Sequence, residues 1–270
     1  MQPKKSLGQN FLRDEKVLDE IIAAADLTVD DLVLEIGPGE GVLTKELLKL
    51  AGKIIAIEKD DNLVLRLEAL FRGNEKLEII HADIMEINLP EILRLRPGTD
   101  FAQDDEFKYK LIANIPYYIT SPIIRLFLET KYPPRTMILM VQKEVAERIC
   151  ASAGQMSILA VSVQYYATAK ILFEVDRKSF WPVPEVDSAI IRIVPTRKNI
   201  FKEERKNFFR LVKAGFSAKR KTLSNNLATS LQLDKKIVEE KLAQAGLLPS
   251  VRAQELSVEN WEKLRKLFEL

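Results

Sequence analysis

At 270 residues the chain is long enough for a main domain with its own core and a smaller second one. A single cysteine, Cys150, excludes an intramolecular disulfide, and a single histidine, His81, leaves no metal cluster and no Ser-His or Cys-His pair to expect. The net charge is only +2, and with neither a charged-then-apolar leader nor an apolar run of bilayer length, a soluble cytoplasmic protein without a membrane is expected.

In chain order, Asp14 is placed to cap a helix whose Val17, Leu18, Ile21 and Ile22 share the face turned to a sheet. An apolar strand near residues 32–36 then breaks into a glycine-rich turn at Gly37, Gly39 and Gly41 and continues as a helix. Glycines there let backbone approach a ligand at the carboxyl end of a strand, the usual binding edge of an open α/β sheet. The spacing is Gly-x-Gly-x-Gly, not the Gly-x-Gly-x-x-Gly of dinucleotide binders, which disfavours NAD and FAD. A second strand near 53–58 ends in Glu58, roughly 20 residues past the glycines, where a carboxylate can accept from both hydroxyls of a ribose. The third, near 77–81, runs on to Asp83, and the fourth, near 109–113, ends in Asn114. Four successive strands thus deliver glycine or polar residues to one edge, which packing alone explains poorly. The polar stretch from Pro97 to Lys108 before the fourth strand reads as a mobile surface loop.

Asn114-Ile115-Pro116-Tyr117 holds the parts needed to alkylate an amino group on an aromatic ring. The exocyclic amine of adenine is a poor nucleophile because its lone pair is delocalised, so polarisation must replace a base. A carboxamide and a backbone carbonyl set side by side accept from its two N–H bonds and free the lone pair. Proline fixes the backbone while leaving its carbonyl exposed, and the tyrosine offers a flat face for the base. The bland alternative is a strand end running into a turn. Ser121 and Pro122 then suggest a cap followed by a first-turn proline.

Further strands are expected near 136–142, 165–175 and 188–194, with a domain boundary near Pro195 to Asn199. Residues 1–196 form the expected catalytic domain and 197–270 a helical, basic one. The tail carries 17 Lys or Arg against 9 Asp or Glu, a balance of +8 that leaves −6 upstream. Its helices are read as Lys202 to Phe216, Lys221 to about Leu231, Lys235 to Ala245 and Val258 to Leu270, the last capped by Ser257 with Leu256 and Trp261 as a hydrophobic staple. Phe208, Leu211, Val212 and Phe216 follow helical spacing and read as core. Lys219, Arg220 and Lys221 form a positive run after a helix end, a solvated surface in an anonymous protein and a phosphate contact behind a nucleotide-modifying domain.

The segments Glu35 to Gly41, Glu58, Ala82-Asp83 and Asn114 to Tyr117 resemble the motifs of class I S-adenosylmethionine (SAM) methyltransferases acting on adenine amino groups. With Lys5 to Leu12, Ser179 to Ser188 and Phe216 to Leu223, nearly the whole chain resembles the bacterial 16S rRNA adenine dimethyltransferases. The resemblance implies a Rossmann-like α/β fold with a seven-stranded sheet, its last two strands an antiparallel hairpin, plus a small helical C-terminal domain. It implies SAM as methyl donor and no metal. Asn10 and Leu12 would close over the cofactor, Gly37 and Gly39 pass beneath it, Glu58 hold the ribose and Asp83 receive the cofactor's adenine amine. Asn114 would face both the methyl donor and the target amine, with Pro116 beside it, and Phe180 would sandwich the target base against Tyr117. From its own setting among Trp181, Pro182 and Pro184, core or loop packing of Phe180 stays open as the alternative.

The implied partner is 16S rRNA in the small ribosomal subunit or its precursor, dimethylated by a monomer on two adjacent adenines of a hairpin loop near its 3′ end, in the course of subunit biogenesis. Loop adenines are already largely unstacked, so little free energy is needed to swing one into a pocket. Three other readings stand open: a 23S rRNA dimethyltransferase of the antibiotic-resistance type, a DNA adenine methyltransferase, and a non-catalytic assembly or transcription factor on the same fold.

Overall fold

The computed structural model describes residues 3–4, 7–94, 109–196 and 202–269. The expected loop at 97–108 and residues 197–199 of the expected boundary lie outside them. The elements run β1 (Phe11–Leu12), α1 (Glu15–Ala25), β2 (Leu32–Ile36), α2 (Val42–Leu50), β3 (Lys53–Glu58), α3 (Asp61–Leu70), β4 (Leu77–His81), α4 (Leu89–Arg94), β5 (Tyr109–Asn114) and α5 (Thr120–Glu129). Then come β6 (Thr136–Gln142), α6 (Lys143–Ile149), α7 (Ile158–Gln164), β7 (Ala167–Val175), β8 (Phe180–Trp181), β9 (Ser188–Pro195), α8 (Lys202–Gly215), α9 (Leu223–Leu231), α10 (Lys235–Gln244) and α11 (Val258–Leu267).

Seven strands form one sheet in the order β4-β3-β2-β5-β6-β9-β7. The inner strands are unbroken apolar runs because both faces are covered: Val33, Leu34, Ile54, Ile55, Leu111 and Ile112 are wholly buried. β2 pairs in parallel with β3 on one side and β5 on the other, the reversal of strand order at which an open sheet parts into a crevice. The register sets Ile36 opposite both Ile57 and Ala113, and Glu58 opposite His81, so Gly37, Glu58 and Asn114 emerge at one level of one edge. β9 runs antiparallel to β6, from Met137 opposite Ile193 to Gln142 opposite Ser188. The fold is α/β, with a mixed seven-stranded sheet and a helical C-terminal region, as expected.

Asp14 caps α1 by accepting from the Lys16 and Val17 amides, and Leu18 and Ile21 are buried beneath it. Ser121 does not cap α5. A 3-10 turn over Tyr117–Ile119, closed by the Ile119 amide donating to the Pro116 carbonyl at 3.1 Å, leads straight into the helix at Thr120, so Ser121 and Pro122 already lie in its first turn.

Two compact units divide the chain: 1–146 with 168–195, and 147–167 with 196–270. The boundary is therefore not a single cut near residue 196, because 147–167 join the C-terminal helices. Aromatic packing is the reason: Tyr165 stacks on Phe208 with ring centroids 4.0 Å apart and meets Phe209 edge-on at 5.3 Å. The Thr196 amide also donates to the Tyr166 carbonyl at 2.8 Å. In the same unit Thr222 caps α9 and Ser257 caps α11, with Leu256 and Trp261 fully buried as the staple requires. Among the described residues no helix is long and apolar enough to cross a membrane.

Candidate functional site

β2 ends in a loop that only glycine accommodates cheaply. Gly37, Gly39 and Gly41 take φ of +65°, +59° and +79°. A Cβ on Gly39 would stand 3.2 Å from the Phe11 ring. The loop is pinned to β3 twice, by the Gly37 amide donating to the Ile57 carbonyl at 2.9 Å and by the Gly39 amide donating to Glu58 Oε2 at 3.1 Å. A cavity opens above it, lined among others by Gly8, Asn10, Gly37, Glu58, Asp83 and Asn114.

Glu58 is held as an acceptor before any ligand arrives: Oε1 takes the amides of Lys59 and Asp60, both at 2.9 Å, and Oε2 takes that of Gly39. Three of about four acceptor positions on the carboxylate are filled, which leaves one on Oε2. Burial raises its pKa, and the three amides oppose that rise. Behind it Glu35 is 1% exposed with Oε2 unpaired. Burial pushes Glu35 up to about 8; the Thr44 hydroxyl, which faces it without closing a hydrogen bond of normal geometry, opposes the rise and the charge of Glu58 adds to it. Asp83 accepts from Lys59 Nζ at 2.6 Å and from the Met85 amide at 2.9 Å, contacts that hold its pKa below the ordinary carboxylate value.

At the end of β5, Asn114 donates through Nδ2 to the Asn10 carbonyl at 3.2 Å. A carbonyl can only accept, so the amide nitrogen must face Asn10, and Oδ1 is turned the other way as an acceptor. The Pro116 carbonyl spends one lone pair on the Ile119 amide and keeps the second. Tyr117 is half-buried, and its hydroxyl meets Ser188 Oγ at 2.7 Å. Burial raises the tyrosine pKa, Ser188 opposes the rise and Asp187 adds to it. Ser188 is fully buried at the start of β9, so the ring is anchored to the sheet through its hydroxyl. Sequence reasoning missed this pair, which joins residues 71 positions apart.

Asn10, Leu12, Gly37, Gly39, Glu58, Asp83, Asn114, Pro116 and Tyr117 all line the one cavity. Phe180 does not. β1 and β8 form a two-stranded antiparallel ladder that sets Leu12 opposite Phe180 and Phe11 opposite Trp181. Side chains alternate across such a ladder, and the Leu12–Phe180 pair falls on the core side with Leu18 and Ile21, leaving Phe180 3% exposed. The structure thus brings Tyr117 to the cavity and packs Phe180 in the core beside Leu12, which also borders the cavity.

A second feature had no signal in the sequence. Asp60, 2% exposed, accepts from Lys4 Nζ at 2.8 Å and from Gln9 Nε2 at 2.9 Å, clasping the N-terminal segment where it borders the cavity. In the other unit, Lys219, Arg220 and Lys221 are exposed on the turn between α8 and α9, and none is in an ion pair among the described residues.

Comparison with known proteins agrees with the arrangement. The family described as ribosomal RNA adenine dimethylase matches residues 1–269. Ribosomal RNA small subunit methyltransferase A of Dehalococcoides mccartyi is 44% identical over 98% of this chain and 88% of the relative, and that of Halothermothrix orenii is 41% identical over 94% and 84%. Among solved structures, the 23S rRNA methyltransferase ErmE superposes with a TM-score of 0.75 at 28% identity over 97% of this chain and 100% of its own. A dimethyladenosine transferase from Plasmodium falciparum gives 0.75 at 29% over 94% and 95%.

Proposed function

Because the chain belongs to the ribosomal RNA adenine dimethylase family, we propose that it transfers two methyl groups from SAM to the N6 nitrogen of each of two adjacent adenines in the 3′-terminal hairpin loop of 16S rRNA, as a cytoplasmic monomer acting on the small subunit or its precursor. The observation that carries the reading is the orientation of Asn114: its amide nitrogen is engaged by Asn10, which leaves Oδ1 as an acceptor in the cavity that the glycine loop and Glu58 also line.

The residues fit the cofactor. Positive-φ glycines leave backbone bare where a ligand approaches, and Glu58 keeps one acceptor position for a ribose hydroxyl. Asp83 stands at the same edge to receive an adenine amine. SAM, when bound, supplies an electrophilic methyl group. The chain does the rest. Asn114 Oδ1 and the second lone pair of the Pro116 carbonyl accept the two N–H bonds of the target amine, drawing its nitrogen towards tetrahedral geometry so that its lone pair points at the donor. The Tyr117 ring, held by Ser188, supports the base at a fixed angle, so the gain is one of orientation. A monomethylated amine keeps one N–H, enough for one of the two acceptors to hold it for a second transfer.

The small-subunit substrate is favoured over 23S rRNA by degree of likeness: relatives named for the small subunit stand at 39–45% identity across nearly the whole chain, against 28% for ErmE. The test is to offer labelled SAM to small-subunit particles lacking adenine dimethylation, to 23S rRNA and to duplex DNA. Label is expected in the particles alone, released by nuclease as dimethyladenosine. Label chiefly in 23S rRNA would overturn the substrate and keep the chemistry.

A further inference from the structure

We propose that Trp181 is the stacking platform for the nucleotide that flanks the target adenine, and so a residue that sets which RNA is held, distinct from those that polarise the amine. The proposal rests on the RNA-substrate reading above and extends it. Residues 180–188 are fixed at both ends to the walls of the cavity: Phe180 and Trp181 pair with Leu12 and Phe11, and Ser188 is bonded to Tyr117. What lies between must skirt the rim. Phe11 and Leu12 both line the cavity, and the ladder that turns Phe180 into the core beside Leu12 turns Trp181 to the opposite face, with Phe11, where it is open to solvent. Directly opposed residues of such a ladder have Cα atoms only about 4.5–5.5 Å apart, so the indole stands beside the cavity wall and not within it.

Exposure and charge indicate the occupant. Trp181 is 47% exposed, and Val183 and Val186 on the same segment are also open to solvent, a grouping of exposed apolar side chains beside the cavity. The Arg13 guanidinium lies 5.9 Å from the Trp181 ring centroid. Arg13 and Arg66 share one carboxylate, Glu40, which leaves that cluster one positive charge; along the segment itself the exposed Arg177 and Lys178 stand among the exposed acids Asp176, Glu185 and Asp187. An exposed aromatic plane with the Arg13 guanidinium beside it suits an unpaired nucleotide, whose base stacks while its phosphate meets Arg13. With one adenine inside the cavity, its chain neighbour is the base that reaches the rim. Adjacent target adenines would exchange places between these two positions.

The chain has two tryptophans, and Trp261 is fully buried, so tryptophan emission separates them. The probe is an unmethylated hairpin-loop RNA carrying the two adjacent adenines, alongside a copy with the flanking base made abasic. Binding of the intact hairpin is expected to quench emission in the wild-type chain, with the quench lost in Trp181→Phe. Trp181→Ala is expected to raise the KM for the hairpin about 5- to 100-fold, the range of one lost base stack, with kcat and SAM affinity moving less than threefold. Trp181→Phe should recover most of that loss. The abasic hairpin should cost the wild-type chain as much as Trp181→Ala does and cost that variant nothing further. No quench, a KM shift below twofold, or additive losses from variant and abasic RNA would each overturn the assignment. If the wild-type chain fails to methylate small-subunit particles at all, the RNA-substrate reading falls first. If it methylates them and the coupling is missing, only the role of Trp181 falls.

Discussion

The Asn114 side chain donates through Nδ2 to the main-chain carbonyl of Asn10 at 3.2 Å, joining the end of β5 to the segment that leads into β1. One hydrogen bond thereby does two things. It fixes which way the amide is turned, leaving Oδ1 on the side away from Asn10, and it ties the N-terminal segment, already clasped by Asp60, to the end of β5.

Asn114→Ala should therefore abolish turnover far more than it weakens RNA binding. Losing one group that stabilises developing charge commonly costs on the order of 10²–10³ in rate. Methyl transfer measured in single-turnover assays, beside RNA affinity by filter binding, checks the split. A variant within tenfold of wild type would remove Asn114 from the chemistry.

Tyr117 calls for a paired test, because its hydroxyl is bonded to a fully buried serine. Tyr117→Phe alone strands Ser188 Oγ, a loss of about 1–3 kcal/mol of stability, whereas removing both partners is close to neutral. The double variant Tyr117→Phe with Ser188→Ala is thus expected to melt near wild type and keep most activity. Tyr117→Ala should lose a base stack worth about 1–3 kcal/mol. If the double variant is as inactive as the alanine, the hydroxyl acts in the reaction itself.

Glu58→Gln should weaken SAM binding and leave RNA affinity unchanged. The carboxylate is locked by the amides of Gly39, Lys59 and Asp60, so the substitution also puts an amide NH₂ where one of those donors points and disturbs the glycine loop. Calorimetric titration with SAM is the check, and an unchanged affinity would show that the ribose is held elsewhere.

Much of this was legible in the chain because it depends on local pattern. Strands buried on both faces write themselves as apolar runs such as Ile54 to Ile57, and acids at their ends stand out against them. What escaped depends on partners far away in sequence. Whether Phe180 or Trp181 faces the core is decided by which of two residues pairs with Leu12, and a two-residue strand carries no period to read. Likewise nothing local in 147–167 says that Tyr165 will stack on Phe208 and draw that segment into the C-terminal unit. The Ser121 cap failed for a nearer reason: the turn at Tyr117–Ile119 started the helix before the serine was reached.

Glu35 predicts a pH effect whose sign is opposite to that of a salt-bridged acid. Its folded-state pKa is raised from the model-compound value of 4.5 to about 8, chiefly by burial. Below 4.5 both folded and unfolded chains hold the proton and the group contributes nothing. Between about 5 and 8 the unfolded chain releases it while the folded one does not, so stability falls by up to about 1.4 kcal/mol per pH unit. Glu35→Gln, which keeps the shape of the protonated acid, should flatten that fall. Denaturant midpoints of both proteins at pH 5, 6, 7 and 8 provide the measurement, with the variant gaining on wild type as pH rises. Parallel curves would mean that Glu35 is ionised in the fold.

Lys219, Arg220 and Lys221 stand exposed on the turn between α8 and α9 without carboxylate partners among the described residues, in a tail that carries +8 by sequence. A cation already paired with a carboxylate has little to offer a phosphate, while an unpaired one releases a condensed counterion on contact and makes affinity depend on salt. Replacing all three by Gln should weaken binding to small-subunit RNA and lower the slope of log affinity against log salt by about 0.7 for each lost contact with single-stranded RNA, or about 2 if all three touch phosphate. SAM affinity, which depends on the cavity residues, should not move. The loss should be larger on assembled particles than on an isolated hairpin, because particles offer more phosphates than a hairpin does. Affinities across a salt series, with both RNAs, decide the matter: a slope equal to that of wild type would make the run a solvated surface.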